Sequence, residues 1–277
     1  MTNSLDQLAT VARDFRKRGI EILAINGGDG TISRTLTAFI HEYKNNGDVP
    51  LPQIALLRGG TINVLAGNLG IRGTPEQVLF RLVEMHSRGE NIPSERIRTL
   101  VIDGNFGFLF GNGTAASFLK VFYQNKTGPV GAVLLIARLY LASIFNKPLY
   151  ESVVSAHEMT LRSGDREPLT CKSIAVMASS VERGPLGIRV FAKARRGPHA
   201  FQALAFVMDP ERVPLALPSA VLRQGEGEAF GKLSVLSDAL TVHCKTSPSY
   251  TLDGELFDAK GEEISIGTGP TLEFLRI

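Results

Sequence analysis

The chain has 277 residues, 44% hydrophobic and 21% charged, with 30 Lys and Arg against 27 Asp and Glu. That balance supports one or two packed cores and excludes a strongly basic chain, so no nucleic acid partner is expected. Cys171 and Cys244 lack CxxC spacing and read as free buried thiols suited to a reducing cytoplasm, while five scattered histidines signal neither a zinc site nor a histidine-based hydrolase.

The N-terminus lacks the apolar core of a secretory signal. Ser4 with Gln7 resembles a capping box, Leu8, Val11, Ala12 and Phe15 follow at helical spacing, and Gly19 is a suitable stop. Ile20 to Asn26 is a short apolar run that reads as a strand buried on both faces. The loop "GGDGT" (Gly27 to Thr31) comes next, then a helix with Leu36, Phe39, Ile40 and Tyr43 on one stripe. The pattern repeats: Gln53 to Leu57 reads as a strand, "RGGT" as a loop, and "INVLAGNLG" as a helix with Ile62, Leu65, Ala66 and Leu69 on one face. Thr74, Pro75 and Gln77 supply the cap, first-turn proline and capping-box partner of a further helix ending at Gly89. Residues 1–97 therefore read as an α/β layer with a parallel sheet.

From Arg98 the texture becomes short strand-like runs separated by turn residues, with one helical interruption from Pro129 to Asn146. Residues 98–277 read as a second, mostly antiparallel β domain. The apolar stretch Val130 to Phe145 is too short to span a membrane and carries Arg138. Burial against a sheet is the leading reading of that helix, with contact at a membrane surface as the alternative. Arg189, Lys193, Arg195 and Arg196 read as the charged face of an edge strand.

Glycines directly after a buried strand let the backbone turn sharply, and the following helix points free N–H groups and its positive dipole end at the same place. Phosphate suits such a junction. A tight βα turn explains one such loop equally well. Gly59, Gly60 and Thr61 occupy the equivalent position after the next strand, at the carboxyl edge where open α/β sheets bind ligands, which favours a polyphosphate. Asp29 would repel bare phosphate, so it faces Mg²⁺ or a metal-bound water, or else forms an Asx-turn.

Three motifs taken together, "GGDGT", "GGTINVLAGNLGI" (Gly59 to Ile71) and "LDGE" (Leu252 to Glu255), resemble the diacylglycerol kinase catalytic family, lipid kinases related to NAD kinases. The resemblance implies an α/β nucleotide-binding domain, a β-sandwich lipid-substrate domain, and ATP with Mg²⁺ in the cleft between them. It assigns Gly27, Gly28, Asp29, Gly30 and Thr31 to the nucleotide phosphates, with Gly60, Thr61 and Asn63 on the opposing loop and Asp29 as the metal ligand. Asp253 accepts the proton of a lipid hydroxyl, with Glu255 in support. Read without the resemblance, Asp253-Gly254 between alternating strand runs is a hairpin signal.

The sequence also departs from that family. Members usually begin with a strand, an Asn-Pro-x-Ser-Gly loop, a helix and a strand before the helix that opens this chain, which points to a start codon placed too late or to a reduced member. Ser33 and Arg34 stand where Asn-Glu is common, and Ile62, Asn63 and Val64 where Gly-Asn-Asp is common. Arg34 reads as a solvated helix residue, with a positive charge near the phosphates as the alternative. The expectation is an ATP- and Mg²⁺-dependent lipid kinase, cytoplasmic and peripheral at the inner face of the membrane, acting on a lipid substrate. The alternatives are a non-catalytic lipid- or nucleotide-binding homologue and a soluble-metabolite kinase of NAD-kinase type.

Overall fold

A computed structural model describes residues 5–45, 49–60, 62–124, 129–164, 166–195, 199–216, 232–245 and 249–277. Helix α1 (Leu5–Arg18) opens the chain and strand β1 (Ile22–Ile25) follows. Helix α2 (Asp29–Asn45) leads to strand β2 (Gln53–Leu56), which lies parallel to β1. Phe15 of α1 meets Phe39 of α2 edge to face, and Ile32, Leu36, Phe39, Ile40 and Tyr43 line the buried side of α2. Ser4 of the expected capping box lies outside the described residues.

Two corrections concern these first strands and the helix after them. Strand β1 is not buried on both faces, since Ala24 is exposed, whereas Ile54, Ala55 and Leu56 of β2 are buried. Helix α3 (Val64–Asn68) is one short turn: Leu65, Ala66 and Leu69 are buried, but Ile62 precedes the helix and is 41% exposed. Helix α4 (Pro75–Ser87) forms as read, with Thr74 and Gln77 exchanging both capping-box hydrogen bonds.

The remaining elements build two packed sheets. Strands β3 (Ser94–Ile102), β4 (Asn105–Gly107) and β5 (Leu109–Asn112) precede a helical group of α5 (Thr114–Gln124), α6 (Pro129–Phe145) and α7 (Lys147–Val153). Strands β6 (His157–Arg162), β7 (Leu169–Ser173), β8 (Ala175–Ser179) and β9 (Phe201–Phe206) follow. The chain closes with β10 (Lys232–Ser237), β11 (Leu240–His243), β12 (Ser249–Leu252), β13 (Glu255–Asp258) and the 13-residue β14 (Glu263–Leu275).

One sheet runs β1-β2-β14-β11-β6-β7, with β3 also on β14 and β4 on β3; the other runs β10-β9-β8-β5-β12-β13. The α/β layer with parallel β1, β2 and the end of β14, joined to a mostly antiparallel region, is the fold class expected. Leu100, Phe110, Met159, Val176, Tyr250, Leu252 and Ile264 lie in one buried cluster that draws on both sheets, as in a sandwich.

The expected border between residues 1–97 and 98–277 does not follow the sheets. It cuts through β3, and β14 carries the chain back to the first layer, where Phe274 pairs with Ile54. The single helical interruption is three helices. Helix α6 buries Leu135, Leu139 and Ala142 against α5 and α7 rather than against a sheet, and leaves Leu134, Leu141, Ile144 and Phe145 exposed. Arg189, Lys193 and Arg195 lie in irregular turns, not an edge strand, and Arg196 is outside the described residues. Among the described residues no helix is long and apolar enough to cross a membrane.

Candidate functional site

Because β1 and β2 run parallel, the loops after Ile25 and Leu56 leave the same edge of the sheet. They touch. A Cβ on Gly60 would overlap the Cα of Gly28, and a Cβ on Gly30 would overlap the Glu255 carboxylate. Gly60 is therefore required by close approach of backbone within the protein, whereas at Gly30 an added Cβ would displace the Glu255 side chain. Helix α2 begins at Asp29, and Ile32 N–H to Gly28 O, at 3.0 Å, marks its first turn. The amides of residues 29 to 31 thus have no acceptor within the helix, and exposed Thr31 stands beside them.

Asp29 spends its carboxylate on the second loop. Its Oδ2 accepts from Val64 N–H at 2.9 Å and its Oδ1 from Leu65 N–H at 3.1 Å. It thereby caps α3 from another helix, where the residue in the capping position, Asn63, sits at φ 52° without capping it by its side chain. Asn63 instead folds its amide onto its own loop, accepting from Gly60 N–H at 3.1 Å and donating to Gly60 O at 2.6 Å. Burial raises the Asp29 carboxyl above its ordinary value, against the two backbone donors that lower it. Thr61 lies outside the described residues.

Asp253 and Gly254, at φ 49° and 82°, form a two-residue turn closed by the Leu252 and Glu255 pair. The chain makes the same Asp-Gly turn at Asp103 and Gly104, φ 50° and 79°. Asp103 is exposed. Asp253 is 8% exposed and accepts from Phe108 N–H at 3.0 Å and Leu109 N–H at 2.9 Å. The turn alone therefore does not demand a buried carboxylate. Burial, then the neighbouring Asp29 charge, hold the Asp253 carboxyl well above its ordinary value. The two acids line one small cavity of about 10 Å³ with Ile32, Val64, Leu65, Phe108 and Val181.

Glu255, on β13, is ion-paired with Arg34 of α2, which tethers the hairpin to the glycine-loop helix. Tyr123 of α5 donates its hydroxyl hydrogen to Gly254 O at 2.5 Å. Sequence reasoning placed Arg34 in solvent and did not single out Tyr123 or the Phe108 and Leu109 amides. The glycine-rich run "FGFLFGNG" is the one signal for those amides: a Cβ on Gly107 would overlap the Asp253 carboxylate.

The residues fit the phosphates of a nucleotide at the start of α2, where first-turn amides without an acceptor in the helix meet bare glycine backbone. Among the described residues no group of three or more His, Cys, Asp or Glu is placed to hold a metal ion. Mg²⁺ needs only one or two carboxylates when phosphates and water supply the rest, and each Asp29 oxygen keeps a lone pair beyond its amide bond. Asp29 fits that smaller demand. The 10 Å³ space between Asp29 and Asp253 does not hold a hydrated ion.

Two glycine loops at one sheet edge, facing a carboxylate carried by a second sheet, define a protein with the diacylglycerol kinase fold. The whole chain superposes on a protein assigned as a diacylglycerol kinase from Bacillus anthracis str. Sterne, covering 84% of it with a TM-score of 0.70 at 12% identity. A second structure from that organism, of a diacylglycerol kinase, is matched over 99% of this chain and 82% of its own, with a TM-score of 0.65 at 12% identity. At such identity the likeness establishes the fold alone. No curated protein is significantly similar in sequence. Residues 1–92 match the model of the diacylglycerol kinase catalytic domain.

Proposed function

We propose that the protein is a lipid kinase that transfers the γ-phosphoryl group of ATP to a lipid hydroxyl. The observation that carries this reading is the burial of Asp253 beside Asp29, in a turn that elsewhere in the chain leaves its aspartate in water. A buried carboxylate with a raised proton affinity is suited to take a proton from an alcohol near neutral pH. In this reading the Asp253 oxygen Oδ2, which meets only Phe108 N–H, receives that proton, and the Phe108 and Leu109 amides hold the carboxylate in place. Gly28, Gly30 and Thr31 at the start of α2 receive the nucleotide phosphates, and Glu255 with Arg34 sets the distance between α2 and the Asp253 hairpin. Mg²⁺, when bound with ATP, supplies charge neutralisation on the phosphates.

The lipid is reached from a membrane surface, and the exposed Leu141, Ile144 and Phe145 of α6 support peripheral contact there. The test is transfer of labelled phosphate from ATP to a total lipid extract by the full chain. Asp253→Asn is expected to abolish it with the fold retained. Undiminished transfer by that variant sinks the assignment of Asp253.

A second reading, a non-catalytic lipid- or nucleotide-binding homologue, is favoured by one observation: Asp29 is engaged with α3 and the space beside Asp253 is about 10 Å³. On the kinase reading the cleft must widen to admit a hydroxyl. Lipid binding without any ATP turnover by the full chain selects the second reading.

A further inference from the structure

A second cavity lies beside α3, lined by Val64, Gly67 and Asn68 of that helix. Its volume is about 520 Å³, within the range of small-molecule sites. Among the described residues four arginines line it, Arg58, Arg72, Arg183 and Arg276, and no carboxylate does. They come from four places in the sequence: the end of β2, the loop before α4, the turn after β8, and the end of β14. Since β14 runs parallel to β2 with Phe274 opposite Ile54, Arg58 and Arg276 leave the same carboxyl edge of the sheet. That edge is where open α/β sheets take ligands.

Arg58, Arg72 and Arg183 have no carboxylate partner among the described residues, while Arg276 is ion-paired with Glu95. Arg58 donates one N–H to Ile71 O at 2.9 Å, and its Nε is buried with no hydrogen-bond partner. Arg183 is clamped by Asn68, whose side chain bonds both its N–H and its carbonyl at 2.9 Å, and it donates from Nη1 to Gly187 O at 3.1 Å. Arg276 reaches Leu69 O at 3.4 Å. Glu95, outside the cavity wall, stands 3.7 Å from Arg276 and is shared with Arg195, and the neighbouring Glu182 is paired with Arg189. Each arginine carries five N–H donors, so most of the donors around the cavity remain for a ligand.

Four like charges around one space repel each other, and a dianion relieves that repulsion. Planar guanidinium forks match the oxygens of phosphate two at a time, and a terminal phosphate carries more charge and more free oxygens than a diester. The volume exceeds that of phosphate alone and leaves room for an organic remainder. We propose that this cavity binds a phosphate monoester. The source is either a dissolved phosphomonoester or the headgroup of a monoester phospholipid. The proposal does not depend on the kinase reading, because its test uses neither ATP nor turnover.

Titration calorimetry of the full chain with glycerol 3-phosphate at fixed ionic strength is expected to give saturable binding. Arg72→Ala with Arg183→Ala should weaken it at least tenfold, while Arg13→Ala, on α1 and away from the cavity wall, should not. Circular dichroism shows whether the double variant folds. If it does not, the wild-type Tm decides: glycerol 3-phosphate must raise it more than equimolar sulfate. Sedimentation with phosphatidylcholine vesicles then sorts the source. Retention on vesicles doped with phosphatidic acid beyond those doped with phosphatidylglycerol assigns a lipid headgroup, and soluble binding without such retention assigns a dissolved ligand. The proposal is overturned by absent saturable binding, by equal binding in a folded double variant, or by vesicle retention that does not distinguish the two lipids and exceeds any soluble binding.

Discussion

Gly60 and Gly28 meet backbone to backbone, so closely that a side chain on Gly60 would occupy the position of the Gly28 Cα. The two loops hold their places only while Gly60 lacks a Cβ; a Cβ on Gly28 would meet the Gly60 Cα at 3.3 Å, tight without overlap. Gly60→Ala forces one loop to move and is expected to destabilise the fold by about 1–3 kcal/mol. Gly67→Ala, in α3 where an added Cβ meets open space, is expected instead to stabilise by about 0.5–1 kcal/mol. Urea denaturation of the two variants checks both signs.

Asp253→Asn should keep the turn, because Asn tolerates positive φ and its oxygen can accept from Phe108 and Leu109. The pH dependence has a definite direction. Burial raises both Asp29 and Asp253 above their unfolded values, so the native state holds these protons more tightly than the unfolded chain does. Stability is therefore greatest below the unfolded carboxyl pKa of about 4 and falls as pH rises through the folded values. Replacing Asp253 by Asn removes the larger contributor, so the fall between pH 4 and pH 8 should shrink. Urea titrations across that range measure it, and an unchanged slope would contradict the assignment.

Asp29→Ala removes the cap that Val64 and Leu65 find in no side chain of their own loop. A loss of about 1–2 kcal/mol is expected, in line with other helix caps. Asp29→Asn retains one acceptor oxygen and should lose less. Thermal denaturation of the three proteins ranks them.

Arg34 and Glu255 are a half-exposed pair, with 53% and 26% of their side chains accessible. Its contribution to stability is expected to stay below about 1 kcal/mol. Its position between α2 and the Asp253 hairpin argues for a larger effect on transfer than on folding. A double-mutant cycle of Arg34→Ala and Glu255→Gln, read both by urea midpoint and by kcat/KM for ATP, should show coupling mainly in the second.

Leu141 and Phe145 of α6 are 56% and 81% exposed. Fully burying such a side chain is worth about 1.5–3 kcal/mol. The double substitution Leu141→Ser and Phe145→Ser should therefore reduce partitioning onto phosphatidylcholine vesicles more than tenfold, with no loss of helicity. Sedimentation and circular dichroism provide the two readouts.

Much of this architecture is legible in the chain itself, for identifiable reasons. Local chemistry is read well where one short segment contains all the partners: the Thr74 and Gln77 box and the Asp253-Gly254 turn both form. Parallel β1 and β2 follow from the repeated strand, loop and helix pattern. Other features depend on partners that carry no sequence signal. The donors that hold Asp29 and Asp253 are backbone amides of Val64, Leu65, Phe108 and Leu109, and any residue but proline supplies an amide. Arg58, Arg72, Arg183 and Arg276 come together only once β14 is placed. Helix α6 is apolar nearly all round, and its pattern could not say which side its neighbours would leave uncovered.

Strand β14 sets a timetable for synthesis. Gln53 on β2 bonds Glu273 on β14 at 2.9 Å, across a sequence separation of 220 residues. While the ribosome is still adding the middle of the protein, β2 has a neighbour in β1 and waits for the one on its other side. The edge of β2 that β14 will cover lacks that partner while residues 57–262 are being made. Closure of that sheet by β14 carries a long loop-closure cost.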